Sequence, residues 1–196
     1  VKTVTSGLYS KFGNNFGLGG NYESEGLSIK KTNDGVIVHR WMMDVEPAPF
    51  YKKVVGFNGN CDRLQHYEVR YPSNALIKAI FTPAGTGGSE GKLHDDVFIM
   101  DSYNFMTPVT ESKTRYYWFQ LRNIRPDDSA LSQLMTDDVQ QAFEEDRNVL
   151  NEVQKGMTNK TSPHIDLPID AGQLRFRRQL QTMINEEEQV DKQMAQ

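Results

Sequence analysis

The sequence predicts an α+β domain in which one antiparallel sheet is followed by long helices. Three observations carry this. Strand-like segments succeed one another from about residue 25 to residue 126 with no helical pattern between them. After Pro126 the apolar spacing changes to the helical period, over roughly Ser132 to Lys155. A second helical segment opens at Asp170 or Ala171, with Leu174, Phe176, Leu180, Met183 and Ile184 on its apolar side. Strands without intervening helices pair with their chain neighbours, and helices that follow them pack together on one face. A chain of 196 residues suits one domain and can bury about 70% of its unfolded surface, enough for a core and an internal cavity.

The elements follow in order. Residues 7–20 (GLYSKFGNNFGLGG) are rich in Gly and Asn. They read as a flexible loop within an opening segment, residues 1–24, and they lack phosphate-loop spacing and a following helix. Leu27 to Thr32 and Gly35 to Met43 flank Asn33-Asp34-Gly35, a hairpin signal in which Gly accepts positive φ. Residues 44–50 (DVEPAPF) end the strand, because each proline fixes φ and lacks a donor. Gln65 to Tyr71 alternates, with Tyr67, Val69 and Tyr71 on one face. Ala75 to Phe81 is a further strand, and residues 82–93 are a polar, Gly-rich loop. Val97 to Met106 and Thr114 to Asn123 are strands rich in aromatic and β-branched residues, joined by a turn at Pro108 to Lys113. Residues 25–126 thus form the sheet and 127–196 the helices, whose polar end (NEEEQVDKQMAQ) is expected to fray. A sheet wrapped on a long helix leaves a cleft that Tyr103, Tyr116, Tyr117, Trp118 and Phe119 could line, or simply fill as core.

Composition narrows the function classes. A net charge of −4 argues against nucleic acid or an anionic membrane surface as partner, since both call for a basic patch. No apolar run approaches the roughly 20 residues that span a bilayer, and the start has no apolar core of signal-peptide type. The single cysteine, Cys61, can form no internal disulfide, which fits the cytoplasm, and alone it cannot hold an iron–sulfur cluster. A first residue of Val rather than Met predicts a processed start or a piece of a longer chain.

The chemically informative residue is Asp146. Val139, Ala142, Phe143, Val149, Leu150 and Val153 recur at helical spacing, and Asp146 falls inside that apolar stripe. Burying an unpaired carboxylate costs several kcal/mol, roughly, so it needs a cation, a hydrogen-bond donor or a proton. A metal site, an acid/base site and a structural ion pair with Arg175, Arg177 or Arg178 all satisfy that need. Those arginines read otherwise as a solvated face or a grip on an acidic partner. The histidines His39, His66, His94 and His164 show no local metal spacing, although His39 and His66 lie on strands that could meet. His94-Asp95-Asp96 reads as a charged loop end. Cys61 has no adjacent base and no Gly-x-Ser-x-Gly occurs, so nucleophilic catalysis has no support.

The segment FEEDRNVLNEVQ (Phe143 to Gln154) resembles the carboxylate-bearing helix of Rieske non-haem iron aromatic oxygenases, most closely the vanillate O-demethylase oxygenase branch. TNDGVIVHRWMMDVEPAPFY (Thr32 to Tyr51) resembles the family's hairpin and Pro-rich turn. FMTPVTESKTRYYWFQLRNIRP (Phe105 to Pro126) resembles its aromatic hairpin, and IDAGQLRFRRQL (Ile169 to Leu180) its closing stretch. The segments occur in the family's order and together cover most of the chain from about residue 25.

The resemblance implies a helix-grip fold of the START and birch-allergen type, a curved antiparallel sheet around a long helix. It implies a mononuclear Fe(II) held by two histidines and one carboxylate, a facial triad with positions open for O2, and it maps the carboxylate onto Asp146. Asn104 and Trp118, on the aromatic strands, are the residues expected to touch substrate. The expected enzyme is a Rieske-type monooxygenase or O-demethylase, with a reductase supplying electrons and an aromatic acid as substrate. The family's trimers make a homo-oligomer the expected assembly. The chain departs from the pattern at two points. It has no His-x-x-x-x-His pair, and it lacks the ligands of the Rieske [2Fe–2S] cluster. The expectation is therefore a catalytic-domain portion that begins after the histidine pair. The alternative is an iron-free helix-grip module for ligand binding or assembly.

Overall fold

The computed structural model describes residues 27–159, 165–167 and 170–194. The opening loop expected over residues 1–24 lies outside the described residues, as does His164. Strands β1 (Ser28–Lys31), β2 (Gly35–Val45), β3 (Cys61–Arg70), β4 (Asn74–Pro83), β5 (Phe98–Thr110) and β6 (Lys113–Arg122) form one sheet in that spatial order. Every neighbouring pair is antiparallel. Helix α1 (Pro49–Lys52) follows β2, and α2 (Ser129–Thr158) and α3 (Ala171–Met194) follow the sheet. This is the α+β architecture the sequence predicts.

Several boundaries differ for physical reasons. The Pro-rich break after β2 contains α1, with Pro at its first turn, where the missing N–H costs no helical bond. Its Phe50 and Tyr51 are buried. β3 begins at Cys61 rather than Gln65, because Cys61 through Leu64 continue the ladder with Ile80 to Pro83. Gly35 does turn the β1–β2 hairpin, but not through positive φ. A Cβ there would lie 2.0 Å from the Val69 carbonyl oxygen, so the close approach of β3 demands glycine.

The core lies between α1, the first half of α2 and one face of the sheet. It gathers Phe50, Tyr51, Val54, Cys61, Ala79, Phe81, Phe98, Met100, Leu131, Met135 and Val139. The start of α2 is fixed in two ways. Asp128 Oδ1 accepts from the Leu131 N–H at 2.9 Å, an N-cap. Arg122, the last residue of β6, donates to the carbonyls of Ile124, Arg125 and Asp128 and to Ser132 Oγ. One guanidinium thus joins the edge of the sheet to the first turn of the helix.

Helix α2 has 30 residues, about 45 Å at 1.5 Å per residue, and its stretch beyond Asp146 is largely exposed. Leu150, expected in its apolar stripe, is 64% exposed, whereas Val139 is buried and Ala142 and Phe143 are half-buried. Helix α3 packs on β1 and β2, at the opposite edge of the same sheet face. A Cβ on Gly172 would come within 2.6 Å of the Val38 side chain, Phe176 stacks on Tyr71, and Arg175 donates to the Ile29 carbonyl at 3.0 Å. Its polar end stays helical to Met194 rather than fraying at Asn185. Glu, Gln, Lys and Met are strong helix formers there, and Glu188 and Lys192 approach to 3.9 Å one turn apart.

A candidate iron and substrate site between β5, β6 and α2

The strand register sorts the aromatic residues onto two faces. Asn104 lies opposite Trp118 and Met106 opposite Tyr116, and directly opposed residues share a face. Tyr116 and Trp118 point toward α2, where both meet Phe143 edge-on with ring centroids at 5.6 and 5.2 Å. The intervening residues point the other way. Tyr103 stacks on Phe119 at 5.0 Å, with Phe105 beside them, and Tyr117 and Phe119 are exposed. Of the aromatics expected to line a cleft, Tyr116 and Trp118 face the helix. Tyr103, Tyr117 and Phe119 do not, because successive residues of a strand alternate in direction.

Asn104 is almost completely buried, with 1% of its surface exposed. Its amide donates to the carbonyl of Ser102 at 3.0 Å and, at 3.5 Å, to that of Ala75. Its Oδ1 accepts from the Tyr116 hydroxyl at 2.8 Å. The sequence reading places Asn104 and Tyr116 on neighbouring strands but misses this bond. Knowing that β5 runs to Thr110 and that Glu111-Ser112 make the turn would have revealed it, since that register sets Tyr116 beside Asn104.

Asp146 follows Phe143 by one turn of α2, close enough to Tyr116 for its charge to raise the phenol's pKa, after burial as the larger cause. The carboxylate is half-buried rather than buried. No cation pairs with it among the described residues. Arg175, Arg177 and Arg178 sit on α3, over β1 and β2 at the other edge of the same sheet face, and among the described residues none of them is salt-bridged to Asp146. Loss of water, and then the adjacent Glu145, hold the Asp146 carboxyl above its usual pKa of 3.8. A bound cation would relieve that cost, so the position fits a metal-ligating carboxylate. The described residues contain no group of three His, Cys, Asp or Glu side chains arranged to hold a metal. Among the described residues Asp146 is therefore not part of a preformed metal cluster.

The shift has a measurable consequence. A carboxyl with a raised folded-state pKa holds its proton more tightly folded than unfolded, so it favours folding in acid. That contribution is lost as pH rises from 3.8 through the raised value. In metal-free protein, Asp146→Asn should therefore match the wild type in acid and exceed it in urea midpoint above that window. A variant less stable than wild type at neutral pH would show that the carboxylate already has a stabilising partner.

The remaining candidates fall elsewhere. His39 and His66 do meet, stacked with centroids 6.2 Å apart, but the register places them on the face away from α2. His66 Nε2 lies 3.3 Å from Glu68 Oε2, and Glu68 also accepts from Arg70. Neither histidine can share a metal with Asp146 through the sheet. His94 pairs with Asp96 on an exposed loop. Cys61 is buried and donates to the Val45 carbonyl at 3.2 Å. Burial pushes its thiol up to about 11, so it is no nucleophile at neutral pH. A groove of about 380 Å³ follows β6 and the first turns of α2, lined in part by Trp118, Gln120, Arg122 and Met135. It touches the site only at Trp118.

Residues 16–186 match the family model of the vanillate O-demethylase oxygenase C-terminal domain. The chain belongs to that family. The match spans both the aromatic hairpin and the helix that carries Asp146. The vanillate O-demethylase oxygenase subunit of Pseudomonas sp. (strain ATCC 19151) is 27% identical over 174 residues, covering 86% of this chain and 53% of that protein. The iron–sulfur subunit of the toluene-4-sulfonate monooxygenase system of Comamonas testosteroni is 30% identical over 136 residues, covering 69% of this chain and 39% of that protein. Dicamba monooxygenase bound to 3,6-dichlorosalicylic acid has the same fold, with a TM-score of 0.71 at 17% identity over 82% of this chain and 47% of that one. The α+β sheet-and-helix fold is therefore that of this oxygenase domain, and the chain spans about half or less of its relatives' length.

Proposed function

We propose that the chain is the catalytic-domain portion of a Rieske-type non-haem iron oxygenase that hydroxylates or O-demethylates an aromatic acid. The observation that carries this reading is Asp146. In a member of this family, the carboxylate-bearing helix presents a half-buried acid with a raised pKa and no cation partner. In this reading Asp146 is one ligand of a mononuclear Fe(II). The two histidine ligands and the Rieske [2Fe–2S] cluster belong to the remainder of the full-length protein. The iron, when bound, supplies activation of O2.

The chain's own residues do the rest. Asp146 gives the metal a negative ligand on a helix whose start is clamped to the sheet by Arg122. Trp118 and Phe143 form an aromatic wall beside it, suited to a flat substrate. Asn104 is walled off from solvent and reaches the substrate side through Tyr116. A reductase partner, a homo-oligomeric and specifically trimeric assembly, and a cytoplasmic location complete the reading. Its support is family membership, together with the single buried thiol of Cys61. No helix among the described residues is long and apolar enough to cross a membrane.

The test uses the full-length gene product, purified anaerobically and supplied with NAD(P)H and a reductase. Vanillate, toluene-4-sulfonate and dicamba are offered in turn, as the substrate types of the relatives. Stoichiometric O2 uptake with formation of a hydroxylated or demethylated aromatic is the expected result. A full-length product that binds no mononuclear iron after reconstitution would overturn the reading in favour of an iron-free module.

A further inference from the structure

We infer that Tyr116 is a positioning residue for Asp146, holding the carboxylate-bearing turn of α2 in place through its bond to Asn104 and its contact with Phe143. The inference rests on the reading of Asp146 as an iron ligand, and it adds a residue to which nothing above assigns a role.

The geometry is a chain of fixed contacts running from the sheet to the helix. Its base is Asn104, whose amide is tied to the carbonyls of Ser102 and Ala75 on two adjacent strands. An asparagine amide has two N–H donors, and both have backbone acceptors here, so the orientation of the side chain is set. Its Oδ1 accepts from the Tyr116 hydroxyl at 2.8 Å. Tyr116 is itself 46% exposed, but the acceptor it meets is buried with Asn104, so losing the bond leaves a buried acceptor unmet.

The next link is Phe143. Tyr116 and Trp118 both meet its ring edge-on, at interplanar angles of 81° and 84°. Two rings set against one side chain fix both the height and the rotation of this part of α2. Phe143 precedes Asp146 by one turn on the same helix, so they share a face. Beyond Asp146, α2 is largely exposed. The Phe143 contact is thus the last aromatic clamp before Asp146. Without it the carboxylate would ride on a helix held mainly at its other end, by Arg122 and the Leu131–Met135–Val139 core.

A purely structural tyrosine would affect stability alone. A positioning tyrosine must also affect the metal, because orienting partners of a ligand typically change metal affinity by 10–100-fold. The experiment uses the full-length iron-loaded protein with Tyr116→Phe, which keeps the ring on Phe143 and removes only the hydroxyl. Fe(II) affinity is measured by competition with a chelator. The geometry at the metal is read from the EPR spectrum with nitric oxide as probe. Expected are about 10-fold weaker Fe(II) binding, an altered EPR spectrum and an unchanged circular dichroism spectrum. Unchanged affinity with an unchanged EPR spectrum would overturn the inference, whatever happens to the melting temperature. Should Tyr116→Phe fail to fold, 3-fluorotyrosine at position 116 keeps the bond but changes its donor strength. A shifted EPR spectrum then supports the inference and an unshifted one overturns it. Asp146→Asn serves as control. Retention of iron in that variant defeats the underlying ligand reading, whereas loss of iron there with an unaffected Tyr116→Phe defeats only the role of Tyr116.

Discussion

Replacing Asp146 by Ala in the full-length protein should remove the mononuclear iron and abolish turnover while leaving the fold intact. Orienting partners alone are worth 10–100-fold in metal affinity, so loss of a direct ligand should exceed about 100-fold. The fold should survive because the carboxylate makes no salt bridge among the described residues and burial already disfavours its charged form. Alanine is also the best helix former, so α2 gains in intrinsic propensity. Metal analysis, circular dichroism and thermal melting together check this. A variant that keeps its iron would remove Asp146 from the ligand set. One that unfolds would show that the carboxylate has a structural partner outside the described residues.

The second large effect is on stability. Phe81→Ala should destabilise the domain by about 3–5 kcal/mol, the usual cost of deleting a fully buried phenylalanine. Phe81 is completely buried. It packs against Tyr51 at 4.1 Å and Phe98 at 6.1 Å between centroids, and the Arg63 guanidinium lies 5.0 Å from its ring. It joins α1 to the centre of the sheet and has no relaxed substitute nearby. Against a total stability of roughly 5–15 kcal/mol, the loss should lower the melting temperature by roughly 6–20 °C for a domain of this size. Phe81 stands apart from Asp146, so Fe(II) affinity per folded molecule should not change. A shift below about 2 °C would mean that the cavity collapses or fills with an alternative packing.

Local pattern made most of the fold legible. β5, β6 and α2 follow from strong periodicity over ten or more residues, and α3 from its spacing. What could not be read depended on distance in space. Helix α1 hides in a Pro-rich segment because four residues give no period. Gly35 looks like a turn glycine, yet its requirement comes from Val69 on another strand. The aromatic residues could be assigned to strands, but their faces awaited the register of β5 against β6, which the two-residue turn and the irregularity at Pro108 and Thr110 determine. For the same reason His39 and His66 could be expected to meet, but not to meet on the face away from Asp146.

Asp146 was legible as an acid among apolar neighbours, and the structure brings it beside Tyr116 and Phe143. Its lesser burial has a physical source. The stretch of α2 beyond Asp146 lies largely in water, and an amphipathic pattern does not record where packing against neighbours stops. The bond from Tyr116 to Asn104 had no local signal, because it links residues 12 positions apart whose proximity exists only once the hairpin has formed.

What Asp146 touches in the complete, iron-loaded protein decides between a metal ligand and a structural acid. Diffraction from crystals of that protein at wavelengths on either side of the iron absorption edge locates the metal directly. The account predicts an anomalous peak bonded to the Asp146 carboxylate, with Tyr116 still donating to Asn104 beside it. An iron peak ligated without Asp146, or an Asp146 carboxylate engaged by an arginine or lysine with no iron near it, would contradict it.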